Sequence, residues 1–165
     1  MQICGVIISH NSVSMDPVKI AGVTEWPAPT NKKEVQSLLG FTNFYQRFIK
    51  DFSEHAHPLF DLTRNDSRWH WEEAERTAFA RLKQSVTSAP VLIFPDPTKP
   101  FRIEANSSNF ATGAVLSQVS SEDEKWHPVA FFSKPLTPVE RNYEIHDKEM
   151  LGIIQALQNT RWLRW

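Results

Sequence analysis

Cysteine is almost absent from this chain of 165 residues, which contains only Cys4. A single cysteine cannot form an intrachain disulfide, and it also excludes a zinc site built from several cysteines. The sequence lacks the run of about 18 apolar residues that a membrane-spanning helix needs. We therefore expect an intracellular chain, cytoplasmic or nuclear, with no targeting signal and no membrane as its partner.

An excess of charge of one sign is missing as well. The 18 lysines and arginines are balanced by 19 aspartates and glutamates, which leaves a net charge of −1. So small a net charge does not attract nucleic acid or an anionic membrane, and any such contact must be local. A hydrophobic fraction of 41% is that of a globular chain, and a chain of this length can bury a core.

The first 90 residues have mainly helical patterns after a short strand-rich start. Isoleucines and valines before and after the turn residues 10–12 predict a hairpin over residues 1–15. Asp16 followed by Pro17 predicts the start of a first helix. Thr30 is the predicted N-cap of a second helix, whose apolar positions recur as far as Ile49. Gly40 lies inside this helix, and we expect another backbone to pack closely against it.

Two more helices are predicted before a cluster of prolines. The first covers residues 53–63 and contains Pro58, and the second follows Trp69 and Trp71. The buried face of that last helix should consist of Ala78, Phe79, Leu82 and Val86. Four prolines between residues 90 and 100 then mark a domain boundary near residue 90.

The pattern changes to that of strands beyond the boundary. Three antiparallel strands are predicted over residues 101–105, 111–120 and 126–133, and they are followed by a long helix that starts near Thr137. The apolar face of this helix is expected to consist of Met150, Ile153, Ile154 and Leu157. The predicted fold class is therefore α+β, with helices in residues 16–90 and a small sheet with one long helix in residues 91–165.

Several segments resemble the polyprotein of gypsy-type LTR retrotransposons. The segments that carry the resemblance are, in order, LLGFTNFYQRFI, VTSAPVL, GAVLSQ, ERNY and KEML. The resemblance implies that residues 1–15 are the end of a palm-like hairpin and residues 16–90 a helical thumb-like region of reverse transcriptase. Residues 91–165 are then the N-terminal half of a ribonuclease H-like domain. Gly5 falls where the family has its primer-contacting hairpin.

The family is an RNA-directed DNA polymerase and a nuclease, but we expect this chain to be catalytically inactive alone. The family's paired polymerase aspartates lie upstream of the matched segments. Its ribonuclease H site holds two Mg²⁺ ions about 4 Å apart on a cluster of carboxylates. Asn106 stands at the position of the family's first aspartate, and Glu149 matches its helix glutamate. One carboxylate cannot hold two ions, so we expect no bound metal and no cofactor. Residual nuclease activity supported by Glu104 or Glu149 is the alternative.

Four basic residues near the second helix are candidates for binding nucleic acid: Lys32, Lys33, Arg47 and Lys50. In the family this region is the thumb, which grips the duplex backbone. Such contacts give weak, salt-sensitive binding to an RNA/DNA hybrid or duplex without sequence preference. An ordinary solvent-exposed helix face is the competing interpretation.

Two function hypotheses follow. The chain is either a retroelement-derived reverse transcriptase and ribonuclease H fragment with residual nucleic-acid binding, or a host-recruited protein interaction module. The resemblance implies a sheet cut short, with an open edge at the strand over residues 101–105. Open strand edges pair readily with other chains, so we also expect self-association.

Overall fold

The computed structural model describes residues 1–159, which form seven strands and six α-helices. The strands are β1 (Gln2–Ile3), β2 (Val6–Ser9), β3 (Ser12–Met15), β4 (Leu92–Ile93), β5 (Arg102–Ser107), β6 (Ala111–Val119) and β7 (Trp126–Pro135). The helices are α1 (Pro17–Thr24), α2 (Lys32–Phe44), α3 (Phe52–His55), α4 (His57–Leu62), α5 (Glu73–Thr87) and α6 (Ile145–Gln158). The α+β class is confirmed.

The N-terminal strands form an antiparallel sheet in the order β1-β2-β3-β4. Cys4 and Gly5 connect β1 to β2 with positive φ angles of 49° and 83°, and Asn11 has a φ of 56° in the turn between β2 and β3. Such angles are typical of tight hairpin turns. The predicted hairpin is therefore confirmed. The short strand β4 pairs with β3, so the chain returns to the first sheet just after the proline-rich segment begins.

Helix α1 is capped as predicted, because Asp16 Oδ1 accepts a hydrogen bond of 2.9 Å from the backbone N–H of Val18. The cap predicted for α2 is wrong by one residue. Asn31, not Thr30, accepts the backbone N–H of Glu34 at 3.0 Å. Thr30 instead donates its own backbone N–H and hydroxyl to the Glu34 carboxylate. These two bonds lower the pKa of Glu34.

The helical region has more breaks than its periodicity indicates. Helix α2 ends at Phe44 and is followed by a 3₁₀ turn over Gln46–Phe48. The single helix predicted over residues 53–63 is wrong, because α3 and α4 are separated at Ala56. Pro58 explains the break: proline lacks an N–H and is tolerated in the first turn of a helix, here α4, but not in its interior.

The helices pack on the first sheet around one apolar core, which includes Val13, Leu38, Phe52, Leu59, Leu82 and Leu92. Helix α5 forms as predicted and buries Ala78, Leu82 and Val86, with Phe79 partly buried. A capping box formed by Glu72 and Glu75 begins this helix. The core therefore joins the hairpin, the helices and the first residues beyond the predicted boundary.

The three strands predicted beyond the boundary are confirmed as an antiparallel sheet in the order β5-β6-β7. Asn106 of β5 lies opposite Gly113 of β6. Among the described residues β5 pairs only with β6, so its outer edge has no strand partner there. A smaller core that includes Leu116, Val129, Ala130 and Ala156 lies between this sheet and α6.

The start predicted for the last helix is wrong. Helix α6 begins at Ile145, because Thr137 and Glu140 exchange side chain-to-backbone hydrogen bonds that start a separate 3₁₀ turn over Glu140–Asn142. Its buried residues are Lys148, Gly152, Gln155 and Ala156, and the predicted apolar face is exposed. Gly152 packs closely against Ala105 and Thr112, and Thr112 Oγ1 donates to Gln155 Oε1 at 2.8 Å.

Contacts between the helices and the second sheet bring the two regions together. The backbone N–H of Ser53 donates to Ser133 Oγ at 2.9 Å, and the His57 ring stacks on Phe110 with centroids 4.4 Å apart. Buried Gln118 accepts the N–H of Asp96 and donates to the carbonyls of Asp96 and Lys99. The proline-rich segment is thereby attached to β6. Within residues 1–159, no helix has the length and apolar character needed to cross a membrane.

Candidate functional site

Asn106, which the resemblance predicts to stand at the position of the family's first aspartate, lies next to a carboxylate from the helical region. A Cβ placed on Gly113 would lie 2.7 Å from Asn106 Oδ1 and 2.4 Å from Asp51 Oδ1. A larger residue at position 113 would clash with both oxygens, so glycine provides the space that the two side chains occupy. Sequence reasoning missed Asp51, because no local pattern connects it to β5.

Asp51 has a left-handed backbone with a φ of 54°, which aspartate adopts more readily than most residues. It precedes α3, but its carboxylate makes no capping hydrogen bond with that helix. The side chain is instead directed toward the second sheet. Glu54, one turn further along, accepts a hydrogen bond from the Ser108 hydroxyl. Two carboxylates from α3 and its N-cap thus lie beside the end of β5.

These side chains line a cleft of about 80 Å³ that also includes Ser107, Ser108 and Thr112. The Oγ atom of Ser107 is buried and has no hydrogen-bond partner in the described part of the chain. Most buried hydroxyls have a partner, so this atom is an exception. The cleft is lined mainly by oxygen-bearing side chains.

Glu149, which the resemblance predicts to match the family's helix glutamate, lies on α6 with about half of its side chain exposed. Its nearest ionic neighbour is His146, at 3.9 Å from Oε2 to Nδ1. Gly152, one turn later, lies against Ala105 and Thr112, which are the neighbours of Asn106 and Gly113. Successive residues of a strand point to opposite faces, so α6 packs on the face of the sheet opposite to the one toward which Asn106 and Gly113 point, and the role of Glu149 stays a prediction.

The oxygen ligands needed for two Mg²⁺ ions are not assembled by these residues. Asn106 contributes a neutral carbonyl oxygen, and Glu54 is already hydrogen-bonded to Ser108. Across residues 1–159, no three His, Cys, Asp or Glu side chains come close enough to hold a metal ion. Because a two-metal site requires several shared carboxylates, this donor set does not fit the ions of the family's reaction.

The four basic residues do not form one cluster. Lys32 and Lys33 lie at the start of α2, whereas Arg47 and Lys50 follow its end, about 18 Å further along the axis. Lys32 Nζ donates to the carbonyl of Arg64 at 2.8 Å. Arg47 is half-buried, and burial lowers the pKa of its guanidinium. Lys33 and Lys50 are exposed.

Helix α2 exposes a face that the sequence analysis did not identify as a site. Gln36, Gly40 and Phe44 are exposed at intervals of four residues, and Phe44 leaves 60% of its surface in water. Apart from its chain neighbours and the backbone of its own helix, no described atom lies within 4 Å of the position that a Cβ on Gly40 would take. The expectation that another backbone packs against Gly40 is therefore wrong. The glycine was visible in the sequence, but the face on which it lies was not.

Gly5, which the resemblance predicts to lie in the primer-contacting hairpin, makes a close internal contact. Its carbonyl accepts hydrogen bonds from the Tyr45 hydroxyl at 3.3 Å and from the backbone N–H of Asp16 at 3.1 Å. A Cβ on Gly5 would lie 2.2 Å from the Tyr45 hydroxyl. Burial, followed by the charges of Asp16 and Cys4, raises the pKa of Tyr45. The turn between β1 and β2 is therefore fixed against the end of α2.

A larger cavity of about 390 Å³ lies between the turn after β2 and the turn after β6. Its lining mixes cationic and anionic side chains, among them Lys99, Asp123 and His127. Asp123 accepts the backbone N–H of Lys125 and contacts His127 at 2.7 Å, and both contacts lower its pKa. None of the site residues predicted from the sequence lines this cavity.

Comparisons with known proteins agree with the architecture. Residues 71–164 match the model of the RNase H-like domain found in reverse transcriptase. The Tf2-3 and Tf2-4 transposon polyproteins of Schizosaccharomyces pombe are each 37% identical to this chain over 157 residues, which is 95% of the chain and 12% of each polyprotein. The chain thus spans about an eighth of the length of these relatives.

The structural similarity extends through the helical region. The foamy viral protease-reverse transcriptase in complex with an RNA/DNA hybrid matches 99% of this chain and 22% of its own, with a TM-score of 0.81 and 21% identity. The same viral protein in complex with double-stranded DNA, in a form designated dRH, matches 95% of this chain and 27% of its own with a TM-score of 0.80. The resemblance to retrotransposon polyproteins is confirmed, and the structures confirm the fold.

Proposed function

Because this chain belongs to the family of RNase H-like domains found in reverse transcriptase, we propose that it holds a nucleic-acid duplex or RNA/DNA hybrid weakly and does not cleave it. The polyproteins to which it is similar are much longer than this chain. We therefore assign the polymerase and nuclease activities to the parent family and not to this chain. A host-recruited interaction module is not favoured, since the similarity covers 95% of the chain.

The exposed face of α2 carries this proposal. A glycine inside a helix costs about 1 kcal/mol relative to alanine, and Gly40 contacts nothing in the described structure that would offset this cost. A helix surface without a Cβ allows close approach by another molecule. Gln36 and Asn43 offer amide groups beside it, and Phe44 offers an exposed ring. Amides and apolar side chains of this kind contact bases and sugars in a duplex groove.

The charges near α2 fit sequence-independent binding. Lys33 lies at the start of the helix and Lys50 lies beyond its end, so both can reach phosphates on either side of Gly40. Lys32 and half-buried Arg47 have internal roles and contribute less. Two phosphate contacts give a weak affinity that falls with rising salt, with a slope of about −0.9 per contact on B-DNA.

The binding test uses fluorescence anisotropy of a labelled RNA/DNA hybrid at several salt concentrations. Gly40→Leu should abolish binding, because the added side chain blocks close approach, while leucine favours the helix. Gly22→Leu is the matched control, since Gly22 is also helical and exposed with no atom within 4 Å of its Cβ position. Equal binding by both variants would contradict a role for this face of α2.

A second pair of variants tests the phosphate contacts. Lys33→Glu together with Lys50→Glu should weaken binding and flatten the salt dependence, whereas Lys125→Glu, in the exposed turn before β7, should change neither. Incubation of the hybrid with Mg²⁺ or Mn²⁺ should give no cleavage product. Cleavage that Glu149→Gln abolishes would instead show that the chain is an active nuclease.

Self-association through the edge of β5 is a separate part of the proposal. The described structure pairs this strand on one side only, and unpaired strand edges accept strands from other chains. Arg102 and Glu104 on β5 are exposed and form an ion pair at 3.2 Å. Charged side chains on an edge limit such pairing, so we expect the association to be weak.

A further inference from the structure

Two tryptophans in the loop between α4 and α5 stack on each other at the surface of the helical region. The ring centroids of Trp69 and Trp71 are 5.9 Å apart, and the two planes are inclined by only 10°. Trp71 packs against the apolar core and meets Phe79 edge-on. Trp69 is not among the described residues that pack against this core, and it exposes 38% of its surface. The inner indole therefore supports the outer one from below.

The residue between the two tryptophans fixes the loop. His70 Nδ1 lies 3.0 Å from the carbonyl oxygen of Arg68, and His70 Nε2 lies 3.1 Å from Glu75 Oε1. Both partners are acceptors, so the protonated ring donates to both of them. The Arg68 carbonyl, followed by the charge of Glu75, accordingly raises the pKa of His70. Glu75 is buried at the start of α5, so the loop presents Trp69 in one position before any ligand binds.

The surface around the tryptophan pair is cationic. Arg64 and Arg68 are exposed on the loop, and Asp66, which pairs with Arg64 at 3.5 Å, is the one acidic residue within positions 63–71. Lys32 Nζ donates to the Arg64 carbonyl at 2.8 Å, which joins the loop to the start of α2. Exposed Lys33 lies at that same end of the helix. The basic side chains of the loop thus continue those of α2.

We propose that Trp69 is a stacking site for an unpaired base of a nucleic acid whose duplex part lies on α2. The inference rests on the proposed function, because α2 holds the duplex. Stacking on an aromatic ring needs no particular sequence, since every base has a π-face. Arg64 and Arg68 are placed to contact the phosphates of the same strand. The chain should therefore prefer a duplex with a single-stranded extension over a blunt one.

A protein partner fits this surface less well. Tryptophan and arginine are enriched at protein interfaces, but the centre of such an interface is depleted in charged residues. Here the exposed ring lies among basic side chains, and the charge continues to Lys33, which we assign to phosphate contact. Aromatic rings beside basic groups are typical of surfaces that bind single strands.

The distances suit a short extension. Gly40 lies eight residues beyond Lys32, about 12 Å along the axis of α2. The chain from Arg64 to Trp69 spans at most about 18 Å. A strand rises about 3.4 Å for each stacked nucleotide, so an extension of about ten nucleotides is long enough to run from the Gly40 face to Trp69.

Fluorescence anisotropy with blunt and extended RNA/DNA hybrids tests the stacking site. The extension of about ten nucleotides is placed in turn at each end of each strand, because the face of α2 does not fix the polarity of the duplex. At least one extended hybrid should bind at least about fivefold more tightly than the blunt one. Trp69→Ala should remove this preference, whereas Trp69→Phe should keep part of it. Trp126→Ala is the matched control, since Trp126 is 42% exposed on the second sheet, and it should keep the whole preference.

Two further measurements do not depend on the alanine variant. Arg68→Gln should weaken binding of the extended hybrid but not of the blunt one, and it should leave the fold intact because the contact to His70 uses the Arg68 carbonyl. Stacking on a base quenches indole fluorescence. The extended hybrid should therefore quench the emission of the wild type and of Trp126→Ala more than the blunt hybrid does. This additional quenching should be absent in Trp69→Ala.

The outcomes separate this site from the proposed function. Equal binding of blunt and extended hybrids by the wild type would overturn the stacking site and leave duplex binding on α2 intact. A preference that persists in Trp69→Ala would overturn it as well. If the wild type binds the single strand through Trp69 but binds no blunt duplex, the proposed function fails and the stacking site stands.

Discussion

Asp51 and Asn106 point their side-chain oxygens at the same position above Gly113, at 2.4 and 2.7 Å from where a Cβ on this residue would lie. One residue precedes a short helix of the helical region, and the other is the next-to-last residue of the first strand of the second sheet. This relationship joins the two regions of the chain at the residue that the resemblance predicts to replace the family's first metal-binding aspartate. A second negative charge there would face Asp51 directly.

Asn106→Asp should therefore lower the free energy of unfolding near neutral pH by about 1 kcal/mol, the size of a like-charge contact near the surface. Repulsion raises the pKa of the introduced carboxylate in the folded state. The loss is thus present above the ordinary aspartate value of about 3.9 and disappears as the pH falls below it. Urea unfolding of wild type and variant, near neutral pH and again below about pH 3.9, measures the loss of stability and its disappearance. Asn109→Asp, in the exposed turn, is the control. The variant should not gain nuclease activity.

Gly113→Ala tests whether the close approach itself is needed. The added methyl group would displace both oxygens, and we expect a loss of about 1–2 kcal/mol. Asp51→Gly should offset most of this loss, since it removes one of the two oxygens and suits the positive φ. A double-mutant cycle by urea unfolding measures the coupling. Additive effects of the two substitutions would contradict the contact.

The helices and strands could mostly be predicted from local sequence patterns, because hairpin turns, helix caps and hydrophobic periodicity depend on neighbouring residues. The turn at Asn11 and the cap at Asp16 required no knowledge of distant parts of the chain. The approach of Asp51 and Asn106 to Gly113 could not be found in this way. It depends on how α3 packs on β6 and β7, and the sequence between them carries no signal of that packing.

The apolar residues of α6 and the glycine of α2 show a second limit of local patterns. Periodicity identified Met150, Ile153, Ile154 and Leu157 as one face but could not tell that this face lies away from the sheet. In the structure, the sheet accepts Gly152 and Gln155, since Thr112 provides a polar partner. Gly40 was likewise recognised as unusual in the sequence, but its exposure depends on how α2 packs against the rest of the protein and is seen only in the structure.

Tyr45→Phe should change stability in a way that depends on pH. The hydroxyl group donates to Gly5, so its removal should cost about 1 kcal/mol at pH 7. Burial raises the pKa of Tyr45, so above pH 10 the unfolded chain loses this proton first and the wild-type protein loses stability. The difference between wild type and variant should shrink between pH 9 and about 11. Urea unfolding across this range measures it, and a constant difference would argue against a buried hydroxyl.

Gln118→Leu should release the proline-rich segment from the second sheet. The Gln118 side chain is 1% exposed, and it satisfies the backbone N–H of Asp96 and the carbonyls of Asp96 and Lys99. Leucine is similar in size but leaves these backbone groups without partners, at a cost of about 1–3 kcal/mol for each group that stays buried. We expect lower stability in urea and faster proteolysis within residues 95–100. Gln84→Leu, at an exposed position of α5, should have neither effect. If the segment stays resistant to protease in the Gln118 variant, the prolines and not this side chain hold it in place.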